Sequence, residues 1–524
     1  MKRLLINITI LVLLAGTFSA CKRQLEENYL NPELTTTGSL SKLFTGMFIN
    51  KRIHPSYWDY YTFIMPTTAA YTQMTALAPL TQMYVPSLDY TGGRWTDYYN
   101  GSLGTDYNYS GPGILNSYRE MQTSYNALTP AQQQLQEVFL KVAEVVVYDQ
   151  TSQMVDLWGD IPFFNASSLN TDRIVEPAPF DDAKTIYDTL ITNLKALNTY
   201  FATVTLDPSI SSELTAADPI YRGDLSKWQR YANSLRLRLL MRISNTDEGT
   251  AQAAVTEMLA DPATYPLISD NSLNAALWMS NPTLRSDMRD ALGGSPFAPS
   301  FLLDTLMLAN DDPRTEVYWD QHAENGWKSF PYNGTNAEYD ALGFATYDSA
   351  TFFYNYNVPG VLFTAAEASF LKAEAFERWG LGAAQTEYEN GINQSIDFYY
   401  GIYHNRVPRE DAKAWPTLAD PTAEEINNYL ARPAIAYTGT TTQKLAKIYT
   451  QKWEHFFILQ AGQAWAEYRR TGYPALQFAT SSYSGGQRPP VRLLYPPIET
   501  LYNPNYSAVQ ARDTRDTRIF WDPS

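Results

Sequence analysis

Side chains with a spacing that signals catalysis are scarce in this chain. The four histidines, His54, His322, His404 and His455, are scattered, and none sits in H-E-x-x-H or another metal-ligand spacing. Cys21 is the only cysteine, which excludes intramolecular disulfides and multi-cysteine zinc sites. No P-loop occurs, nor a G-x-G-x-x-G after a strand, and Gly101-Ser102-Leu103-Gly104 lacks the register of a nucleophile elbow. Asp311 and Asp312 lie outside any EF-hand pattern and read as a solvated turn before Pro313. The chain has 55 acidic residues, enough for many acid–base pairs that could hydrolyse a glycosidic bond, but nothing in the sequence selects one. Neither a metal nor a cofactor is called for.

What the chain concentrates instead is aromatic surface with polar edges. Its 38 tyrosines outnumber 23 phenylalanines, an excess that a purely apolar core does not require. Two intervals, Met83 to Pro112 and Asp311 to Gly360, are rich in aromatics and resist helical assignment. The first contains GGRWTDYYNGSLGTDYNYSGPG (Gly92 to Gly113), which interleaves Arg94, Trp95, Asp97, Tyr98, Tyr99 and Asn100. The second holds Tyr318, Trp319, Trp327, Tyr332, Tyr339 and Tyr347. Sugars present C–H faces that pack on rings, while Asn, Asp and Arg bind their hydroxyls. Peptides can use the same surface. Loops of this length are uncommon in compact domains and are usually functional.

Long amphipathic helices must position these intervals. Thr129 caps a helix with Pro130 at its first position, running to about Asp156 with Leu135, Val138, Val142, Val145, Tyr148 and Val155 on one face. Asp181 to Phe201 and Asp224 to Ser244 predict two more; in the latter, Trp228, Tyr231, Leu235 and Leu239 point inward, flanked by Arg236, Arg238 and Arg242. Thr364 and Glu367 have capping-box spacing and open a helix to Trp379 that Gly380 can end. A partner helix follows from about Ala383 to Phe398, with Ala384, Tyr388 and Gly391 in the spacing of a tetratricopeptide-type second helix. One long helix is expected from about Thr442 to Arg470, closed by Gly472. The expectation is a mainly all-α fold of helical hairpins with long aromatic loops.

The N-terminus reads as a bacterial lipoprotein signal. Lys2 and Arg3 precede an apolar run from Leu4 to Ala15, too short to span a bilayer, and Ser19 and Ala20 lead into Cys21. Cleavage before Cys21 would allow several acyl chains to anchor the chain to a membrane. The expected organisation is a leader over residues 1–20, a lipidated tether over 21–38 and one domain over 39–524. A formal net charge of −16 disfavours nucleic acid, whose phosphates such a surface repels.

Ordered pieces along the chain carry a resemblance. LNPE (Leu30 to Glu33), LSKLFTGMF (Leu40 to Phe48), DLWGDIPF (Asp156 to Phe163) and WQRYANSLRLRLLMRIS (Trp228 to Ser244) come first. FLKAEAFERWG (Phe370 to Gly380), QKWEHFFILQAGQAWAEYRRTGYP (Gln451 to Pro474), RLLYPPIETLYNPNY (Arg492 to Tyr506) and RIFWD (Arg518 to Asp522) follow. Together they resemble the SusD/RagB nutrient-binding outer-membrane lipoproteins of Bacteroidetes, in the SusD-like branch. The resemblance implies four tetratricopeptide-like hairpins and a non-catalytic role. It also implies capture of a glycan or, on the RagB side, an oligopeptide, and handover to a SusC-type TonB-dependent transporter at the cell surface. It places the ligand face in the two aromatic intervals, with Trp95, Tyr98 and Tyr99 facing Trp319 and Trp327. A surface glycoside hydrolase is the competing enzymatic reading.

Overall fold

The computed structural model describes residues 39–77, 84–102, 111–168, 177–279, 285–415, 417–479 and 488–523. Cys21 and the expected leader and tether lie outside these. The scaffold comprises α1 (Leu40–Met47), α2 (Leu88–Tyr99), α3 (Ile114–Asn126), α4 (Pro130–Trp158), α5 (Ala183–Thr203), α6 (Leu225–Ile243), α7 (Ala365–Trp379), α8 (Ala384–His404), α9 (Thr441–Phe456) and α10 (Ala461–Thr471). Helices α3/α4, α5/α6, α7/α8 and α9/α10 pack as consecutive pairs. Strands among the described residues form only two-stranded antiparallel ribbons, such as Trp319–Asp320 against Thr346–Tyr347. The mainly helical architecture matches the expectation.

Local chemistry explains the helix ends. Thr129 and Gln132 close a complete capping box with Pro130 in the first turn. Gly159, at φ +79°, stops α4 in a conformation that disfavours a side chain. Residues 131–137 stand clear of the core, so Leu135, expected on the buried face, is exposed. At Thr364 only half of the expected box forms. Its side chain accepts from the Glu367 N–H at 3.2 Å, but the Glu367 carboxylate turns to the Arg238 guanidinium, Nη2 to Oε2 2.6 Å.

The α7/α8 pair meets where Gly391 faces the ring of Phe370, and a Cβ at Gly391 would lie 2.7 Å from that ring. Helix propensity alone favours alanine over glycine by about 1 kcal/mol. Overpacking against a fully buried ring costs about 1–3 kcal/mol. Gly391→Ala is therefore expected to lower the melting temperature, and a rise in a thermal scan would contradict this packing.

Two elements depart from expectation. The helix predicted as continuous from Thr442 to Arg470 breaks between α9 and α10, where Phe457 adopts φ +39°. That conformation costs about 1–3 kcal/mol. It delivers the Phe457 ring onto Tyr318, centroids 4.3 Å apart and nearly parallel, within a buried group that includes Trp319 and Tyr347. The interval Met83 to Pro112, expected to be irregular, contains the three-turn helix α2.

Candidate functional site

The five aromatics assigned to the ligand face do not form one. Trp95, Tyr98 and Tyr99 occupy the inner side of α2 and are buried. The Trp95 indole meets Trp158 edge-on at 5.2 Å and donates to Glu499 Oε1 at 3.1 Å. The Tyr98 hydroxyl pairs with Thr151 at 2.7 Å, and that of Tyr99 donates to the Pro162 carbonyl at 2.7 Å. Trp319 is 1% exposed, stacked on Tyr347 at 4.9 Å. These four residues are packing, and the spacing i, i+3, i+4 at Trp95, Tyr98 and Tyr99 is itself the helical stripe that explains why. Trp327 differs: it is half-buried and lines a groove with Tyr400, Asp311, Glu316, Asp420 and Glu425.

A second concave surface lies elsewhere. A cleft of about 480 Å³ is lined by Tyr84, Phe330, Tyr332 and Phe478, together with Gln73, Thr75, Ser300, Asn333 and Thr335. Among the described residues, no lysine, arginine, aspartate or glutamate lines it. In a chain of net charge −16, such a lining offers ring faces and neutral donors and acceptors rather than charge.

The sequence builds this cleft from three directions. One wall comes from the end of the wide-turned helix Tyr60–Ala69, after which Gln73 takes φ +54° and donates its side-chain amide to the Gln477 carbonyl. A non-glycine residue in that conformation is a strain that tends to occur at binding sites. Phe330 anchors a second wall: its N–H donates to the Ala298 carbonyl at 2.8 Å and its carbonyl accepts from Ser300 at 3.0 Å. Phe330 is seated in a satellite core with Phe297, Phe344 and Ala76, and Tyr339 packs against it. Gly334 lies flat on this ring; a Cβ there would come within 2.4 Å of it, so only glycine permits the turn. Next to it, the capping box of Thr335 and Glu338 starts the short helix Asn336–Asp340. Tyr84 and Phe478 close the third side edge-to-face at 5.8 Å, and burial pushes the Tyr84 hydroxyl up to about 12, keeping it a neutral donor.

Tyr332 is the cleft aromatic most available to stack, at 41% exposed. Sequence reasoning placed it within the second aromatic interval but did not single it out, because position in a run does not reveal which ring faces outward. A second aromatic surface was not singled out, although its Tyr90 falls in the first aromatic interval. Tyr57 and Tyr61 stack at 5.4 Å, and Trp58 and Tyr90 each lie 6.3 Å from Tyr61. The signal was present in Ser56-Tyr57-Trp58-Asp59-Tyr60-Tyr61, where a helix can bury one face only; Tyr60 takes it.

Among the described residues, no cluster of three or more His, Cys, Asp or Glu could hold a metal ion, and no helix is long and apolar enough to cross a membrane.

Paired helices supporting a loop-built cleft define the class: a helical-hairpin scaffold whose loops form its concave surface. Residues 59–496 match the model of a SusD-like family described as starch-binding and associating with the outer membrane. The chain belongs to this SusD-like family. No curated protein matches the sequence. Among solved structures, a chitin-binding protein superposes with a TM-score of 0.70 at 20% identity, covering 92% of this chain and 100% of that one. A SusD-like protein of Bacteroidetes AC2a gives 0.70 at 20% identity, over 93% and 100% of the two chains. A SusD homologue from Parabacteroides distasonis gives 0.68 at 21% identity, over 92% and 97%. At these identities the likeness establishes the fold.

Proposed function

We propose that this protein is a surface lipoprotein of the outer membrane that binds a neutral oligosaccharide in the Tyr332 cleft and releases it unaltered to a SusC-type TonB-dependent transporter. The uncharged lining of that cleft in a strongly acidic chain carries the reading. Aromatic faces supply stacking, while Gln73, Asn333 and Thr335 supply donors and acceptors for sugar hydroxyls. A free peptide would bring charged termini that this lining has no partner for. The family description and the chitin-binding structural neighbour favour a glycan. In this account residues 1–20 are the leader, residues 21–38 the tether and Cys21 the lipidated anchor of the single domain that follows.

One observation favours a second reading, an oligopeptide ligand. The Trp327 groove sets an indole beside the exposed carboxylates of Glu316 and Glu425, with Asp311 and Asp420 at its rim already paired with Arg432 and His404, a surface suited to a basic peptide. Calorimetric titration with neutral oligosaccharides, acidic oligosaccharides and basic peptides separates the two, with heat expected from the neutral sugars. An assay for new reducing ends in the same mixtures is expected to stay at background, and their steady release would establish a hydrolase instead.

A further inference from the structure

The ribbon of Trp319–Asp320 and Thr346–Tyr347 closes the base of residues 321–345, which carry Phe330, Tyr332, Asn333, Gly334 and Thr335 to the cleft. Its register pairs Trp319 with Tyr347 and Asp320 with Thr346. Side chains alternate across a ribbon, so Trp319 and Tyr347 share one face, where they stack. Asp320 and Asp348 fall on the opposite face as diagonal neighbours. The backbone fixes both carboxyls there. Asp320 Oδ2 accepts from the Ser349 N–H at 2.9 Å, and Asp348 Oδ1 from the Thr351 N–H at 2.6 Å. The Asp348 N–H donates in turn to the Tyr318 carbonyl at 2.9 Å. Asp348 is buried, Asp320 is half-buried, and a hydrogen bond joins their carboxyls.

Two ionised carboxylates are both acceptors, so this contact holds one proton. Burial first, and then the charge of Asp320, push the Asp348 carboxyl up to about 8. Among the described residues no lysine, arginine or histidine forms an ion pair with either acid. Three helical elements pack against the turn Ser349–Phe353 that follows. The short helix Arg289–Gly293 brings Arg289, which reaches Asp411 at 2.6 Å, and Asp290, which lines a surface with Thr346 and Ser349. The turn Thr315–Tyr318 brings Glu316, which opens on the Trp327 groove, and Tyr318, whose hydroxyl donates to the Glu454 carbonyl at 3.0 Å. From α8, the Tyr399 hydroxyl donates to the His455 carbonyl at 2.7 Å, and that of Tyr403 accepts from the Leu418 N–H at 3.2 Å. An asparagine in place of either acid would make the same contact without a titratable proton. Two acids make the hold of this junction depend on pH.

We propose that Asp320 and Asp348 form a proton-operated latch at the base of residues 321–345, firm while they share a proton and weakened as rising pH removes it. The latch bears on both sides of the cleft, because the Tyr347 hydroxyl donates to the Met74 carbonyl at 3.0 Å, one residue from Gln73. It acts whichever ligand the cleft takes. An acid whose folded value is raised stabilises the closed form fully below its ordinary 3.8 and loses that contribution as pH climbs to about 8. On the way, the opening equilibrium of the segment rises by up to about tenfold per pH unit, and above it levels off.

The test follows amide hydrogen exchange in the intact protein from acid to alkaline pH, corrected for the intrinsic pH dependence of exchange. Protection of the Phe330 and Ala345 amides, bonded to the Ala298 and Lys328 carbonyls, is expected to fall by up to about tenfold per pH unit before levelling off. Asp348→Asn, whose side-chain amide donates to Asp320 at every pH, is expected to keep its protection where the parent chain loses it. A profile flat with pH in the parent, or an equal fall in a folded Asp348→Asn variant, would overturn the latch. Should that variant fail to fold, Asp320→Asn makes the same comparison from the other carboxyl, and a flat parent profile alone is decisive.

Discussion

The double variant Trp95→Ala/Trp319→Ala is expected to lose cooperative folding altogether. Each indole is almost fully buried, and truncating such a side chain costs about 3–5 kcal/mol through lost transfer energy and the cavity left behind. Their surroundings are separate: Trp95 packs on Trp158 and Tyr495, Trp319 on Tyr347 and Phe457. Costs at independent sites add to within about 0.5 kcal/mol, so the pair removes about 6–10 kcal/mol. A typical domain has only about 5–15 kcal/mol in total. Urea titration followed by far-ultraviolet circular dichroism should show an early, broadened or absent transition. A double variant that melts like the parent chain but no longer binds ligand would restore the sequence-based assignment of these residues to the ligand face.

Glu374 on α7 is expected to be the most damaging single charge to remove. It is fully buried, and its two oxygens receive Arg470 Nη1 and Nη2, each at 2.7 Å, with Lys452 at 3.3 Å. Arg470 and Lys452 then share Glu467, which also meets Arg242 at 3.0 Å, so α6, α7, α9 and α10 join through one network. Breaking such a network from one side leaves buried cations uncompensated, and Glu374→Ala should cost about 3–5 kcal/mol. Glu374→Gln keeps the shape and one acceptor, and should cost about 1.5–3 kcal/mol, the worth of a hydrogen bond to a charged group.

Burial acts to raise the Glu374 carboxyl, but Arg470 and Lys452 outweigh it and hold the group below its ordinary range. A carboxylate whose folded value is depressed contributes stability above its unfolded pKa and loses that contribution as pH falls through the folded value. The parent chain should therefore lose stability on acidification below about pH 4.5, the ordinary value, more steeply than Glu374→Gln. Equal slopes in denaturant titrations across that window would show that Glu374 carries no such coupling.

How much of this was legible in the residues depends on the range of the interaction. Caps and periodicity are local, so Thr129-Pro130, Gly380 and Gly472 mark helix ends where the structure has them. The α7/α8 spacing likewise pointed to the close approach at Gly391. Long-range partners were not legible. Arg238 and Arg242 were placed on the flanks of their helix, yet both are buried, because Asp149 and Glu367 meet one while Asp156 and Glu467 meet the other. The break at Phe457 arises from aromatic partners more than 50 residues away in sequence, Tyr318 and Tyr399 among them. At the candidate site, composition indicated aromatic recognition, but glycines at 92 and 93 disguised a helix as a loop and moved attention to its buried side. Tyr332 owes its exposure to Gly334 and the Phe330 anchor, a tertiary arrangement that leaves no periodic trace.

Placing a neutral glycan in the uncharged cleft is most directly tested by calorimetric titration of the parent chain, Tyr332→Ala and Trp58→Ala with the same neutral oligosaccharide. Loss of one stacking ring at a sugar site is expected to weaken affinity about tenfold, corresponding to about 1.4 kcal/mol. The account predicts that weakening in Tyr332→Ala, with Trp58→Ala close to the parent. Unchanged affinity in a folded Tyr332→Ala variant, with binding lost in Trp58→Ala, would move the ligand to the Tyr57–Tyr61 surface and contradict it.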